Sequence, residues 1–199
     1  VEAEEIDLER VAGDLDACLA LCRSLLEKQP DDPQAGHLAG LALARLGRLP
    51  DAIAQLERAA RAAPQNADLA ADFGRVLASA GRFDAAVDRF ARALVALPQR
   101  TDIRDDYATA LACLERFDEA RREWERVVGE KRDHAPAMIK LARLHALAGN
   151  AEEAIRLAVT AERTDARIAP RAAIVRGIAC LATARYEEAE AAFDAALAG

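Results

Sequence analysis

Small and apolar residues return along this chain in a fixed helical stripe. Ala52, Leu56 and Ala59 stand at i, i+4 and i+7, and so do Ala86, Phe90 and Ala93. Cys18, Cys22 and Leu25 repeat the spacing, as do Ala120, Trp124 and Val127, then Ala154, Ala158 and Ala161, then Ala189, Phe193 and Ala196. Three positions so spaced share one face of an α-helix. Most of these stripes are 34 residues apart, and Gly13, Gly47, Gly81 and Gly149 keep the same stride between them. So do Pro30, Pro64 and Pro98. No alternating β-branched pattern competes with the helical one. The predicted helices run near 1–12, 16–29, 33–46, 50–63, 67–80, 84–97, 101–114, 118–131, 135–148, 152–164, 170–183 and 187–198.

Numbering each unit from 1 to 34, with the turn glycine at 15, divides the chain into copies at 1–32, 33–66, 67–100, 101–134, 135–169 and 170–199. Position 8 is Gly40, Gly74 or Gly177, or the small Ala108 and Ala142. A small residue at 8 opposite a small residue at 20 lets two helices approach closely, and the larger residue at 24 fills the space beside them. Glycine at 15 gives the backbone freedom that ends the first helix. Proline at 32 stops the second. Three places depart from this pattern: Glu115 replaces the turn glycine, and Arg132 and Ala166 replace the terminal proline. Less regular turns are therefore expected near 115, 129–134 and 164–169.

Together these columns resemble the tetratricopeptide repeat family across essentially all 199 residues. The copy at 67–100 carries the resemblance best, with Phe73-Gly74, Gly81, Phe83, Ala86, Phe90, Ala93 and Pro98. The resemblance implies an all-α fold: a right-handed α-solenoid of six tandem helix-turn-helix hairpins, about twelve antiparallel helices in all. With no linker rich in Gly, Ser or Pro, the array reads as a single domain over 1–199.

Composition narrows the function. A net charge of −7 argues against nonspecific nucleic-acid binding. No run of 18 apolar residues is present, so no transmembrane helix is expected. Val1-Glu2-Ala3-Glu4-Glu5 is acidic, unlike a signal peptide, and lacks an initiator Met, which points to a trimmed or processed chain. The last helix carries Phe193, Ala196 and Leu197 with no polar cap after it, so a capping helix or further domain is expected to follow. Heavy use of Ala and Arg suggests a GC-rich bacterial gene.

No catalytic signature is legible: G-x-S-x-G, G-x-x-x-x-G-K-[ST], H-E-x-x-H and G-x-G-x-x-G are all missing. Cys18, Cys22 and Cys180 fall on core positions and read as packing residues, while Cys113 reads as a free thiol on the inner face. Four cysteines without disulfide geometry fit a reducing compartment, the cytoplasm. His145 reads as a packed histidine, His134 lies in a turn, and no histidines have metal-ligand spacing. No cofactor or metal is expected.

The resemblance assigns positions 2, 5, 6, 9, 12 and 13 of each first helix to a concave groove. There the chain offers His37; then Asp68, Asp72 and Arg75; then Asp102, Asp105, Asp106 and Cys113; then Ile139, Lys140, Arg143 and Leu147; then Arg171, Ile174 and Val175. These charges either form a solvated face or meet a ligand. Asp68 and Asp102 could instead serve helix dipoles. Read as a ligand surface, the five aspartates fit a peptide or protein with a basic segment beside an apolar one. Reversing Asp105 and Asp106 to Lys is then expected to weaken that ligand and spare the fold, with Arg143 as a control of opposite sign. Some family members grip chaperone tails with Lys at 5 and Asn at 9. Here those positions hold His37/Leu41, Ala71/Arg75 and Asp105/Thr109, so that clamp is not reproduced.

The first functional reading is thus a non-catalytic scaffold holding a protein or peptide segment. The alternative is an arm of a larger enzyme, such as a glycosyltransferase, sulfotransferase or hydroxylase, that recruits substrate. A third is a homo-oligomer formed through the uncapped last repeat.

Overall fold

A computed structural model describes residues 14–198. Eleven α-helices occur among them: α1 (Leu15–Lys28), α2 (Pro33–Arg45), α3 (Leu49–Ala62), α4 (Ala67–Ser79), α5 (Phe83–Ala96), α6 (Thr101–Cys113), α7 (Phe117–Glu130), α8 (Ala135–Leu147), α9 (Ala151–Thr164), α10 (Ala169–Ala182) and α11 (Tyr186–Ala198). Each begins and ends within one residue of the bounds expected from the repeat. The helix expected over 1–12, and the turn at Gly13, lie outside the described residues. The chain forms two compact units, divided between Ile103 and Arg104 inside α6.

Three first helices, α2, α4 and α8, are capped by the side chain at the last position of the preceding copy. Asp32 accepts from the amides of Gln34 and Ala35 at 2.8 and 2.9 Å, and Asn66 accepts from Leu69 at 3.0 Å. His134 does the same through Nδ1, accepting from the Ala137 amide at 3.2 Å. These bonds satisfy amides that the first helical turn leaves unpaired. The second helices α3, α5, α7 and α9 start without a side-chain cap, whereas Asp14 caps α1 by accepting from the Ala17 amide at 3.0 Å. Arginine at position 16 instead grips an acid three residues on: Arg48 with Asp51, Arg116 with Glu119, and Arg185 with Glu188.

The turn between the two helices of a hairpin needs a left-handed residue. Gly47, Gly81 and Gly149 supply it, with φ of 75°, 73° and 81°. Glu115 at 60° and Ala184 at 57° adopt the same conformation despite their side chains. The bond that closes the turn survives too: Arg116 donates to the Leu111 carbonyl at 3.0 Å, as Arg82 does to Leu77 at 2.9 Å. The irregular turn expected at 115 is therefore regular, because the hydrogen bonds outweigh the cost of a side chain at positive φ. The link at 129–134 is regular as well, with His134 donating to Lys131 at 3.1 Å, as Asn66 does to Ala63. Only 164–169 departs, where the extra residue is taken up by a 3₁₀ turn at Ala166–Ile168. Glu115→Gly should relieve the strain and raise stability by about 1 kcal/mol. A lower urea midpoint than the parent chain would contradict this.

Within hairpins, the close approach is more specific than small against small. A Cβ on Gly74 would lie 2.7 Å from Cε1 of Phe90, and one on Gly177 would lie 2.5 Å from Cε1 of Phe193. On Gly40 it would lie 2.5 Å from Cγ of Leu56. Position 8 is thus empty to admit the large residue at 24 itself. Leu56 and Phe90 are buried as a result, and Trp124 is buried opposite Ala108, alongside Ala52, Ala86 and Ala120 at position 20. Cys22 and Cys180 are buried among them, and burial, reinforced by neighbouring Cys18, pushes the Cys22 thiol up to about 12. Such a thiol stays protonated and packs as an apolar group.

Candidate functional site

The residues assigned to the groove divide into two sets of different character. In the first unit, His37 on α2 meets Asp72 on α4 through Nε2–Oδ2 at 2.9 Å. Arg75 then joins Asp72, at 2.9 Å, to Asp102, at 3.0 Å. Arg100 joins Asp102, at 2.8 Å, to Asp68, at 3.1 Å. The expected cluster of acids is therefore a ladder in which each carboxylate already has a cation or imidazole against it. Burial raises the Asp72 carboxyl, but His37 and Arg75 outweigh it and hold the group below its ordinary value. The hydrogen bond from Arg100 holds Asp102 far below the carboxylate range. Arg100 carries two rungs of this ladder. It stands at the capping position, where a helix start rather than a charge partner is expected, so the sequence pattern hides it.

In the second unit, Asp105 on α6 is buried, not presented to a ligand. Its Oδ1 accepts from Trp124 Nε1 on α7 at 2.8 Å and from Lys140 Nζ on α8 at 2.9 Å. Lys140 also donates to Oδ2 at 2.8 Å and to Thr109 Oγ1 at 3.0 Å. A buried carboxylate with an indole and an ammonium on it ties three helices together. Reversing Asp105 to Lys would set two ammonium groups against each other, so the fold would not be spared as the sequence suggested. Asp106 is half-buried on the same helix.

Above the knot lies an open cleft of about 710 Å³. Thr109, Ala112 and Cys113 of α6 form one wall, and Ile139, Lys140, Arg143 and Leu147 of α8 form the floor. Arg171, Ile174 and Val175 of α10 close the other side, with Glu115 and Phe117 at the α6–α7 turn. The contributing helices are the first helices of three successive copies, and α8 and α10 pack directly on each other. The stripe that these positions form on each helix becomes one continuous surface once the helices stand side by side. Ile174 and Leu147 are 45% and 66% exposed, so the cleft presents apolar side chains to solvent. Arg143 and Arg171 are exposed and have no hydrogen-bond or ion-pair partner among the described residues. Of the residues singled out from sequence, Lys140, Arg143 and Ile174 thus meet here, whereas His37, Asp68, Asp72, Arg75 and Asp102 belong to the ladder.

A family model described as Tetratricopeptide repeat matches residues 4–67, 37–101 and 106–167. The chain belongs to the tetratricopeptide repeat family. Its repeats also align with solved tetratricopeptide solenoids. MamA from Desulfovibrio magneticus RS-1 is 18% identical, with a TM-score of 0.76 over 84% of this chain and 94% of that one. YrrB, described as a TPR protein with an unusual peptide-binding site, is 20% identical, with a TM-score of 0.74 over 88% and 90%. PilF of Pseudomonas aeruginosa is 15% identical, with a TM-score of 0.76 over 93% and 83%. At these identities the likeness establishes the fold alone. No curated protein matches the chain in sequence. Among the described residues, no helix of the tetratricopeptide array is long and apolar enough to cross a membrane.

Proposed function

We propose that this tetratricopeptide chain is a non-catalytic interaction module that holds a peptide or protein segment in the cleft lined by α6, α8 and α10. The observation that carries the reading is the cleft itself: about 710 Å³ of open space with Ile174 and Leu147 exposed in it, over the buried Ile139 and Val175. Apolar side chains left in water at one concave place supply affinity when a partner covers them. The peptide-binding site described for YrrB, a relative of the same fold, supports the assignment. The aspartate-rich face of the first unit supports it less, because its carboxylates are already matched by Arg75, Arg100 and His37. A free basic ligand would have to displace those partners.

A random dodecapeptide library displayed against the chain tests the reading. Selected peptides should bind the parent chain and lose about tenfold in affinity to Ile174→Glu, which places a charge on the α10 side of the cleft at an exposed position that the fold tolerates. Selected peptides that bind both proteins equally, or a library that yields no binder, would contradict it.

A further inference from the structure

We infer that the cleft takes an acidic segment with an adjoining apolar residue, a refinement that rests on the reading of this cleft as a peptide site. The sequence suggested the opposite sign, from five aspartates on the inner face. The structure reverses the balance. Four of those aspartates, Asp68, Asp72, Asp102 and Asp105, are held by Arg100, Arg75, His37 and Lys140. Among the described residues, the cleft keeps two arginines without a hydrogen-bond or ion-pair partner against one such carboxylate, so its balance is cationic. Arg143 on α8 and Arg171 on α10 are both exposed and both line it. Lys140 lines it as well, turned toward Asp105 but with its side chain still 31% exposed. Glu115, at the α6–α7 turn, is the one carboxylate in the lining.

This local excess of positive charge sits on a chain whose net charge is −7. The net field of the molecule therefore repels an acidic partner, and the arginines of the cleft offset that repulsion locally. Guanidinium groups without partners can take a carboxylate with two parallel N–H···O bonds, with no internal ion pair to break first. Leu147 and Ile174, exposed on the same two helices, receive the neighbouring apolar side chain. Acid and apolar residue must therefore be close together in the partner: charge sets register and on-rate, and the apolar anchor slows release.

Composition of the selected dodecapeptides, followed by fluorescence-polarisation titration, decides the matter. The selected set should be enriched in Asp or Glu beside Leu, Ile or Phe. A labelled member should lose about tenfold or more in affinity to the Arg143→Glu/Arg171→Glu double variant. It should keep its affinity for Arg163→Glu, an exposed arginine on α9 outside the cleft. Glu115→Gln should leave binding equal or tighter, and raising salt should weaken it, since the arginines lie in solvent. Enrichment of Lys and Arg in peptides that still depend on Ile174 would overturn the charge assignment and leave the peptide-binding reading standing. Acidic peptides insensitive to the double variant would overturn the assignment of these two arginines. A library without binders would remove the reading on which the inference rests.

Discussion

Replacing Asp105 with Ala is expected to cost about 3 kcal/mol of stability. The Asp105 side chain is 13% exposed and holds both the Trp124 indole and the Lys140 ammonium, at 2.8 Å each. Its loss leaves an indole N–H with no acceptor at the core of the hairpin and a half-buried cation with no counter-charge. Breaking one side of such a set costs more than the set contributes, since the remaining groups keep their desolvation penalty. Asp105→Asn should cost less, about 1–2 kcal/mol, because an amide oxygen still accepts from the indole. Lys140→Met placed in the Asp105→Ala background should recover part of the loss by removing the stranded charge. Urea titration followed by emission of Trp124, the single tryptophan, measures all three. An Asp105→Ala midpoint equal to that of the parent would show that the knot is peripheral to the fold.

The second large effect lies at Gly74. By helix propensity alone, Gly→Ala inside a helix stabilises by about 1 kcal/mol. Here the sign should invert, to a net loss of about 2 kcal/mol, because the new methyl would stand 2.7 Å from the buried Phe90 ring. Gly129→Ala is the matched control. It lies in α7 with nothing within 4 Å of the added carbon, so propensity should prevail and stability should rise by up to about 1 kcal/mol. Thermal melts of the two variants separate packing from propensity. If both changed in the same direction, the glycine at position 8 would not be there for the ring.

The repeat was legible because its causes are local and recur. A helix face, a left-handed turn residue and a capping side chain each leave a mark at a fixed position. The period therefore located the helices to within a residue, and the Gly40, Gly74 and Gly177 column marked the close approaches. It overstated the breaks. Glu115 takes the glycine conformation because the i to i−5 bond of its turn holds it there, as the equivalent bond holds Ala184, which the pattern did not single out, and a single residue type cannot disclose that bond. The charged face was less legible, because the partner of an acid is often outside its column. Arg100 occupies a capping position yet neutralises Asp102 and Asp68. Trp124 reads as core filling yet donates to Asp105. Five aspartates counted along the inner face suggested a basic ligand, whereas four of them already have partners, and Arg143 and Arg171 have none among the described residues.

The most direct test of a ligand seated in this cleft uses Cys113. It is exposed and lines the cleft beside Thr109 and Ala112, while Cys22 and Cys180 are buried. Alkylation rates at each cysteine, read by mass spectrometry with and without a saturating selected peptide, report where that peptide sits. The account predicts that Cys113 is protected at least about fivefold on binding, the change expected when a ligand covers most of an exposed thiol, and that the rate at half-buried Cys18, in the first unit, is unchanged. A bound peptide that leaves the Cys113 rate as it was, or that protects Cys18 instead, would contradict it.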